Sequence, residues 1–299
     1  MANSIEYAKR FMPTVDEVYK AAAVTEGLDA ATQADFTGAN EVKVLKISTT
    51  GLGDYSRATG YPKGDVTVAW ETLTLSEERG KEIAIDRMDN EETLGMAFGA
   101  VTGSFVREHV APELDAYRFA QYASASGIAK AAPATLTAST ILEAIDEASR
   151  QMDAAEVPLQ GRRLFVSSDL KPLLNGALTR TFGSDGAVST VLSGYNDMPI
   201  VYVPKSRFYT AITLNDGSSA WGYAKATGAQ DINFMMIYPP AVLQVKKFAL
   251  PKVFTPDENQ DKDMWKFQFR LYHDALVYAN KAQGVYLHAA PASTPPSGS

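Results

Sequence analysis

The feature that most constrains this chain is residues 41–87, where strand patterns surround a glycine-rich stretch. Apolar residues alternate over residues 42–47 and again over residues 66–70, and each run then changes phase. Alternation is typical of β-strands, and a phase change favours a bulge or bend. The stretch between the runs, residues 50–64, is rich in glycine and suits a turn. The pattern predicts a projecting hairpin, which needs cover from another element because isolated hairpins are marginally stable.

A long helix is predicted after the hairpin. Asp89 or Asn90 can cap its start, and apolar residues recur at helical spacing over residues 94–105. The pattern continues to Tyr122, with a kink expected at Pro112 because proline interrupts helical hydrogen bonding.

Three glycines form a stripe at every fourth residue of this helix: Gly95, Gly99 and Gly103. Each glycine costs about 1 kcal/mol relative to alanine in a helix interior. A repeated cost of this kind indicates that another element packs closely against the helix backbone. The three positions are therefore predicted to be sites of close packing of this helix.

The remaining sequence predicts a mixed helical and strand body. Thr140 and Glu143 match a capping box before an amphipathic helix that ends ahead of Pro158. A short buried strand is predicted at residues 164–166, followed by a helix through Leu174. Further strand patterns occur at residues 200–203, 209–214, 234–238, 242–248, 265–271 and 285–287.

The composition excludes several classes of protein. The chain has 299 residues and a net charge of -7, which argues against a protein that grips nucleic acid through clustered cations. It has no cysteine, so it can form neither disulfides nor thiolate metal sites. Residues 93–106 are too short and too polar for a transmembrane helix. No membrane association is predicted.

The sequence offers little chemistry. It contains three histidines, far apart in sequence, and lacks the familiar hydrolase, phosphate-binding and dinucleotide-binding motifs. One acidic cluster could support a metal-assisted hydrolase: Asp86, Asp89, Asn90, Glu91 and Glu92. Acidic residues just before an apolar helix are better explained by capping. No catalytic residue, metal or cofactor is predicted.

Two groups of residues are candidates for contacts between copies of the chain. The turn of the hairpin displays Tyr55, Arg57, Tyr61 and Lys63. A run of mixed charge follows in Glu77, Glu78, Arg79 and Lys81. Tyrosine and arginine are favoured anchors of interfaces, and mixed charges suit reciprocal contacts, although a solvated surface would look the same.

Three stretches resemble the Hong Kong 97 type major capsid proteins of tailed phages, in particular siphophages. ADFTGANEVKVLKISTTGLGDYSRATGYPKGDVTVAWETLTLSEERGKEIAIDRMDNEET resembles the end of their N-terminal arm and their extended loop. PELDAYRFAQYA resembles their spine helix, and WKFQFRLYHDALVYANKAQGVYL is similar to their closing strands. The resemblance covers residues 1–288.

The resemblance implies an α+β fold of the Hong Kong 97 type, and the chain is divided into five parts. Four parts follow from the resemblance: an N-arm at residues 1–40, an extended β-hairpin loop at 41–87, a peripheral domain with the spine helix at 88–164 and 251–288, and an axial domain at 165–250. The fifth part, residues 289–299, is rich in Pro, Ser and Ala and is predicted to be a disordered tail.

The resemblance also implies a structural role. Hexamers and pentamers of the chain would tile an icosahedral shell around double-stranded DNA, without sequence-specific binding, after assembly in the host bacterial cytoplasm. The implied partners are a portal, decoration proteins and a separate scaffold protein. The scaffold is implied because the arm starts almost at once; the alternative is that the chain is a processed form. Prototype members link subunits covalently through a lysine. Lys63 lies in the corresponding region, but its partners cannot be placed, so no crosslink is predicted.

The alternative within the same fold is an encapsulin, a shell that holds cargo.

Overall fold

The computed structural model describes residues 23–28, 35–36, 41–58, 60–88, 103–177, 194–259 and 262–292. Strands in these ranges are β1 Asp35–Phe36, β2 Glu41–Thr49, β3 Val66–Thr74, β4 Glu77–Asp86, β5 Ala129–Lys130, β6 Arg163–Ser167, β7 Gly194–Tyr195, β8 Met198–Val203, β9 Ile212–Leu214, β10 Tyr223–Lys225, β11 Ile232–Ile237, β12 Val242–Phe254, β13 Met264–Val277 and β14 Val285–Ala289. The α-helices are α1 Ala111–Ser124, α2 Ile141–Ala154 and α3 Lys171–Ala177.

The hairpin predicted from the alternating pattern is present as β2 and β3. The two strands pair antiparallel in one unbroken register, from Glu41 opposite Thr74 to Thr49 opposite Val66. The predicted bulge is therefore wrong. Backbone hydrogen bonds define the pairing, so the apolar phase of the side chains can change while the ladder continues. Strand β1 adds to β2, and the three strands form a sheet of their own.

A second sheet contains the longest strands, in the order β12-β13-β4. Strand β4 lies within residues 41–87, the predicted extended loop, but it pairs with β13 along ten residues. Backbone hydrogen bonds therefore join β4 to the same sheet as β12 and β13. The pairing of β12 with β13 shifts register between Ala249 and Lys252, where Pro251 supplies no N–H for the ladder.

The predicted spine helix is described from Gly103 onward. Residues 106–110 form a π-helical turn, in which the N–H of Ala111 donates to the carbonyl of Val106, and α1 follows directly. The irregularity expected at Pro112 thus takes the form of one widened turn immediately before the proline. Apolar residues of this turn and of α1 pack on Phe267 and Phe269 of β13.

The third sheet has six strands in the order β5-β14-β11-β6-β8-β7. Helix α2 covers it by burying Ile145 and Met152 among apolar side chains of β6, β8 and β11. The predicted boundary at residues 164/165 divides β6, and the boundary at 250/251 divides β12. Strand β14, predicted to lie with the peripheral part, pairs with β11. The proposed division therefore cuts through elements that hydrogen bonding holds together.

Two smaller expectations are also wrong. The Oγ1 of Thr140 accepts the N–H of Thr137, 3.0 Å away, instead of capping α2, so the predicted capping box is not formed. Residue 289 was assigned to a disordered tail, but Ala289 is buried in β14 opposite Ile232. The N–H of Ala290 then donates to the carbonyl of Asp231 at 2.8 Å. The sheet therefore fixes the start of the predicted tail.

Candidate subunit-contact surfaces

The turn of the hairpin, residues 50–65, is the most exposed apolar surface of the described chain. Leu52 is fully exposed, and Tyr61 retains 85% of its accessible surface. The rings of Tyr55 and Tyr61 lie 4.9 Å apart and tilt against each other. Arg57 and Lys63 are also exposed. All four predicted contact residues of the turn are therefore exposed, and the two tyrosines contact each other.

Backbone bonds shape this turn. The N–H of Gly60 donates to the carbonyl of Ser56 at 2.7 Å, and the N–H of Thr50 donates to Asp65 at 3.2 Å. Gly60 has a φ of +83°, which glycine adopts without strain. Val66 and Val68 extend the exposed apolar surface into β3.

The base of the hairpin, in contrast, is fixed to the body. Ser76 lies between β3 and β4, and its N–H donates to Oδ2 of Asp274 at 3.2 Å. The hydroxyl of Tyr117 donates to Oδ1 of the same carboxylate at 3.0 Å and lies 3.1 Å from the Ser76 hydroxyl. Burial raises the pKa of Tyr117, so the phenol remains a donor at neutral pH. Leu75 packs beside this network against Leu243 and Val245.

The charged run on β4 makes most of its visible contacts within the subunit. Arg79 points toward the body, and its Nε donates to Oε1 of Glu113 at 2.7 Å. Its other nitrogens donate to the carbonyls of Asn215, at 2.7 Å, and Gly222, at 3.3 Å. Arg79 therefore has its hydrogen-bond partners within the subunit, and its role in contacts between copies stays a prediction.

The neighbours of Arg79 divide between two faces of the sheet because side chains alternate along β4. Glu78 is on the outer face and pairs with Arg270 of β13. Hydrogen bonding to Tyr272 lowers the pKa of Glu78. Lys81 lies over the ring of Phe105, 5.5 Å from its centroid. Glu77 accepts the Ser76 hydroxyl at 3.4 Å. These residues all have partners within the subunit, and their role between copies stays a prediction.

A cavity of about 490 Å³ opens between β4, the π-helical turn and the loop from Asn215 to Gly222. Phe105, Phe269 and Trp221 form its aromatic walls, and Trp221 is 68% exposed at its mouth. His273 lies at its floor. The ring of His273 is buried, packs edge-on against Tyr117 with centroids 4.9 Å apart, and has no hydrogen-bond partner for either nitrogen among the described residues.

The beginning of the described chain is attached to the body, which the sequence did not indicate. The predicted N-arm covers residues 1–40, but Thr25 and Leu28 are buried in the subunit. The N–H and the hydroxyl of Thr25 both donate to Oδ1 of the buried Asp115 carboxylate in α1, at 3.2 and 2.6 Å respectively. At least this part of the arm is therefore ordered by its own subunit rather than by a neighbour.

Several predicted sites lie partly or wholly outside the described residues. These are Asp89, Asn90, Glu91, Glu92, Gly95 and Gly99. Gly103 is described, and the nearest atom that a side chain there would meet is Nη2 of Arg107, 4.0 Å away. The described part of the subunit thus supplies no close packing at Gly103. Asp86 is exposed and accepts the N–H of Met88 at 2.9 Å.

The described residues contain no group of three or more His, Asp or Glu side chains placed to hold a metal ion. They also contain no helix with the length and hydropathy needed to cross a membrane. The observable surface features are therefore an exposed hairpin turn, a fixed hairpin base and an open aromatic cavity.

Comparison with known proteins identifies the family. A model of the phage capsid protein family matches residues 71–287. A comparison with curated protein sequences gives no match.

Solved phage structures share the fold. The capsid structure of the cyanophage P-SCSP1u superposes with a TM-score of 0.62 at 14% identity, over 87% of this chain and 86% of that chain. A chain of Gordonia phage Cozz gives 0.59 at 12% identity, over 91% and 87%. A chain of Mycobacterium phage Che8 gives 0.52 at 14%, over 84% and 85%. At such identities the likeness shows the fold, and the family match carries the identification. The chain belongs to the phage capsid protein family and is a structural capsid subunit of a bacteriophage, not an enzyme.

Proposed function

We propose that this chain is the Hong Kong 97 type major capsid protein of a siphophage, and that its hexamers and pentamers form an icosahedral shell around double-stranded DNA. The observation that carries the proposal is the hairpin of β2 and β3, whose turn exposes Leu52 and Tyr61. An apolar turn at the end of two strands gains stability only when another surface covers it. In a shell of identical subunits, that surface belongs to a neighbouring copy.

The fixed base and the exposed turn suit this role together. Ser76 and Asp274 hold the start of β4 on the body, so the hairpin leaves each subunit at a defined place. Because the base of the hairpin is already fixed, less conformational entropy is lost when the turn binds a neighbouring subunit. Many such contacts, each weak, then combine in a closed shell through multivalency.

The proposed domains follow the sheets. The extended loop is residues 41–74, and the peripheral domain is built from α1 with the sheet of β4, β12 and β13. The axial domain is centred on the six-stranded sheet. This division keeps β4 with β12 and β13, and β14 with β11.

The charge of the chain and its family support the proposed contents and partners of the shell. A net charge of -7 suits a shell that encloses DNA without gripping a particular sequence. A portal, a separate scaffold protein and decoration proteins are the proposed partners, and assembly takes place in the host bacterial cytoplasm before the subunit becomes part of the virion.

Electron microscopy of the purified protein, with its scaffold protein present, tests the proposal. We expect closed shells of uniform diameter with hexameric and pentameric capsomers. In the variant Tyr61→Ala, we expect a several-fold lower yield of shells and an unchanged melting temperature of the unassembled subunit, because Tyr61 is 85% exposed. Leu159→Ala is the matched control, since Leu159 is an exposed apolar residue away from the hairpin. A wild-type protein that stays monomeric under these conditions contradicts the proposal.

A further inference from the structure

Residues 23–28 are held on the body by an unusual acceptor, a carboxylate without exposed surface. The N–H groups of Val24 and Thr25 donate to Asp115, at 3.1 Å to Oδ2 and 3.2 Å to Oδ1. The Thr25 hydroxyl donates to Oδ1 at 2.6 Å. Asp115 is 0% exposed on helix α1. Three donors from two consecutive residues thus converge on one side chain.

Two arginines complete the site. Arg207 donates through Nη1 to Oδ2 of Asp115 at 3.1 Å. Arg118, one turn along α1 and itself buried, donates to the Thr25 hydroxyl at 2.8 Å. The Thr25 hydroxyl therefore links a buried cation to a buried anion. Charge-assisted bonds of this kind are stronger than neutral ones, and a buried charge that loses its partners is costly.

Glu26, Gly27 and Leu28 also attach the segment to the body. Both carboxylate oxygens of Glu26 lie 3.3 Å from Nζ of Lys246 on β12. The guanidinium of Arg163 lies directly against Gly27, where any side chain would collide with it. Leu28 is 1% exposed and packs in the same core as Phe119. The segment is consequently fixed to α1, to β12 and to β6.

We infer that residues 23–28 are a latch, with Asp115 as its positioning residue, that sets where the N-terminal arm leaves the subunit for a second copy of the chain. This inference rests on the proposed function, because residues 1–22 precede the latch and need a fixed starting point to reach a neighbour reproducibly. A latch that opens leaves the folded core in place and removes that starting point. Assembly should therefore be more sensitive to the latch than subunit folding is.

Thr25→Ala is the most direct variant because it removes the hydroxyl between Asp115 and Arg118 and keeps both charges. Thr25→Ser keeps the hydroxyl and serves as the rescue. Thr137→Ala is the matched control, since Thr137 is exposed in a loop and bonds only locally. Glu26→Gln weakens the pair with Lys246 and provides a second, milder test in case Thr25→Ala does not fold.

The first readout is hydrogen exchange of the full-length unassembled subunit. We expect the amides of Val24 and Thr25 to be protected in the wild type. They should exchange at least tenfold faster in Thr25→Ala, with exchange in α1 and β13 unchanged and with protection restored in Thr25→Ser. Glu26→Gln should show a smaller increase in the same direction. Equal exchange in all variants overturns the latch.

The second readout is the yield of closed shells by electron microscopy. We expect Thr25→Ala to lower the yield several-fold and Thr25→Ser and Thr137→Ala to match the wild type. Full yield from Thr25→Ala, despite faster exchange, overturns the role of the latch in assembly and leaves the proposed function intact. Absence of shells from the wild type overturns the proposed function and, with it, that role, while hydrogen exchange still decides whether the latch exists.

Discussion

Acid should destabilise the unassembled subunit through His273, which lies buried beneath the aromatic cavity. Its side chain is 1% exposed, and neither ring nitrogen has a hydrogen-bond partner among the described residues. Burial, with the positive charges of Arg118 and Arg79, lowers the pKa of His273 to about 3 from an ordinary value of 6.5. The folded subunit therefore resists the proton that the unfolded chain accepts readily.

The size of the effect follows from these two values. The unfolded chain binds the proton below pH 6.5 and the folded subunit only near pH 3, so stability is present above pH 6.5 and is lost as the pH falls. Each pH unit in that window costs about 1.4 kcal/mol. At pH 5, the loss attributable to His273 is therefore about 2 kcal/mol.

Urea unfolding at pH 7 and pH 5, followed by circular dichroism, measures this loss. We compare the wild type with His273→Phe, which keeps an aromatic ring against Tyr117 and cannot be protonated. Other titrating groups, including Asp115, whose pKa burial raises, remain in both proteins and cancel in the difference. The variant should lose about 2 kcal/mol less than the wild type between the two pH values.

His109→Gln is the control, because His109 is an exposed histidine of the same cavity. It should lose as much stability as the wild type. Equal acid losses for His273→Phe and the wild type would refute the reasoning, since they would mean that His273 is protonated as easily in the folded subunit as in the unfolded chain.

Three further changes have defined outcomes. Gly284→Ala should lower the free energy of unfolding by about 1–3 kcal/mol in urea titration, because the new Cβ would lie 2.5 Å from that of Ala241 in packed surroundings. Phe119→Ala should cost about 3–5 kcal/mol in the same titration, because Phe119 is 0% exposed and meets two other rings. Assembled protein boiled in detergent should run on a denaturing gel as a single band, with or without Lys63→Arg. A ladder of multimers lost in that variant would contradict the absence of a covalent crosslink.

Local patterns were enough to predict much of the secondary structure. Strict alternation at Val66 and Val68 predicted a strand because that period belongs to β-structure, and helical spacing predicted α2. The capping box failed because Thr137 competes for the Oγ1 of Thr140 within the same turn. A pattern of residue types does not show whether a hydroxyl accepts a hydrogen bond from the first turn of the helix or from the preceding loop.

Contacts distant in sequence could not be predicted in this way. Arg79 was interpreted as a surface charge, yet its partner Glu113 lies 34 residues away on α1. The latch was missed because Asp115 and Arg118 have their partner Thr25 some 90 residues away in sequence. In the structure, every residue from Leu114 to Ala120 is buried. The charged side chains of a fully buried helix need partners within the protein. The opposite charges of Asp115 and Arg118, three residues apart, were the one sign of this in the sequence.

The hairpin of β2 and β3 also has a mechanical consequence. Nine paired residues at about 3.3 Å each give it a length of roughly 30 Å. Such a lever amplifies small angular changes: turning it by about 5° about Leu75 and Ser76 would displace Tyr61 by about 3 Å, the length of a hydrogen bond. The same turn could then contact neighbouring subunits at places of different shell curvature. The required change of angle at Leu75 and Ser76 is too small to disturb the packing of the body.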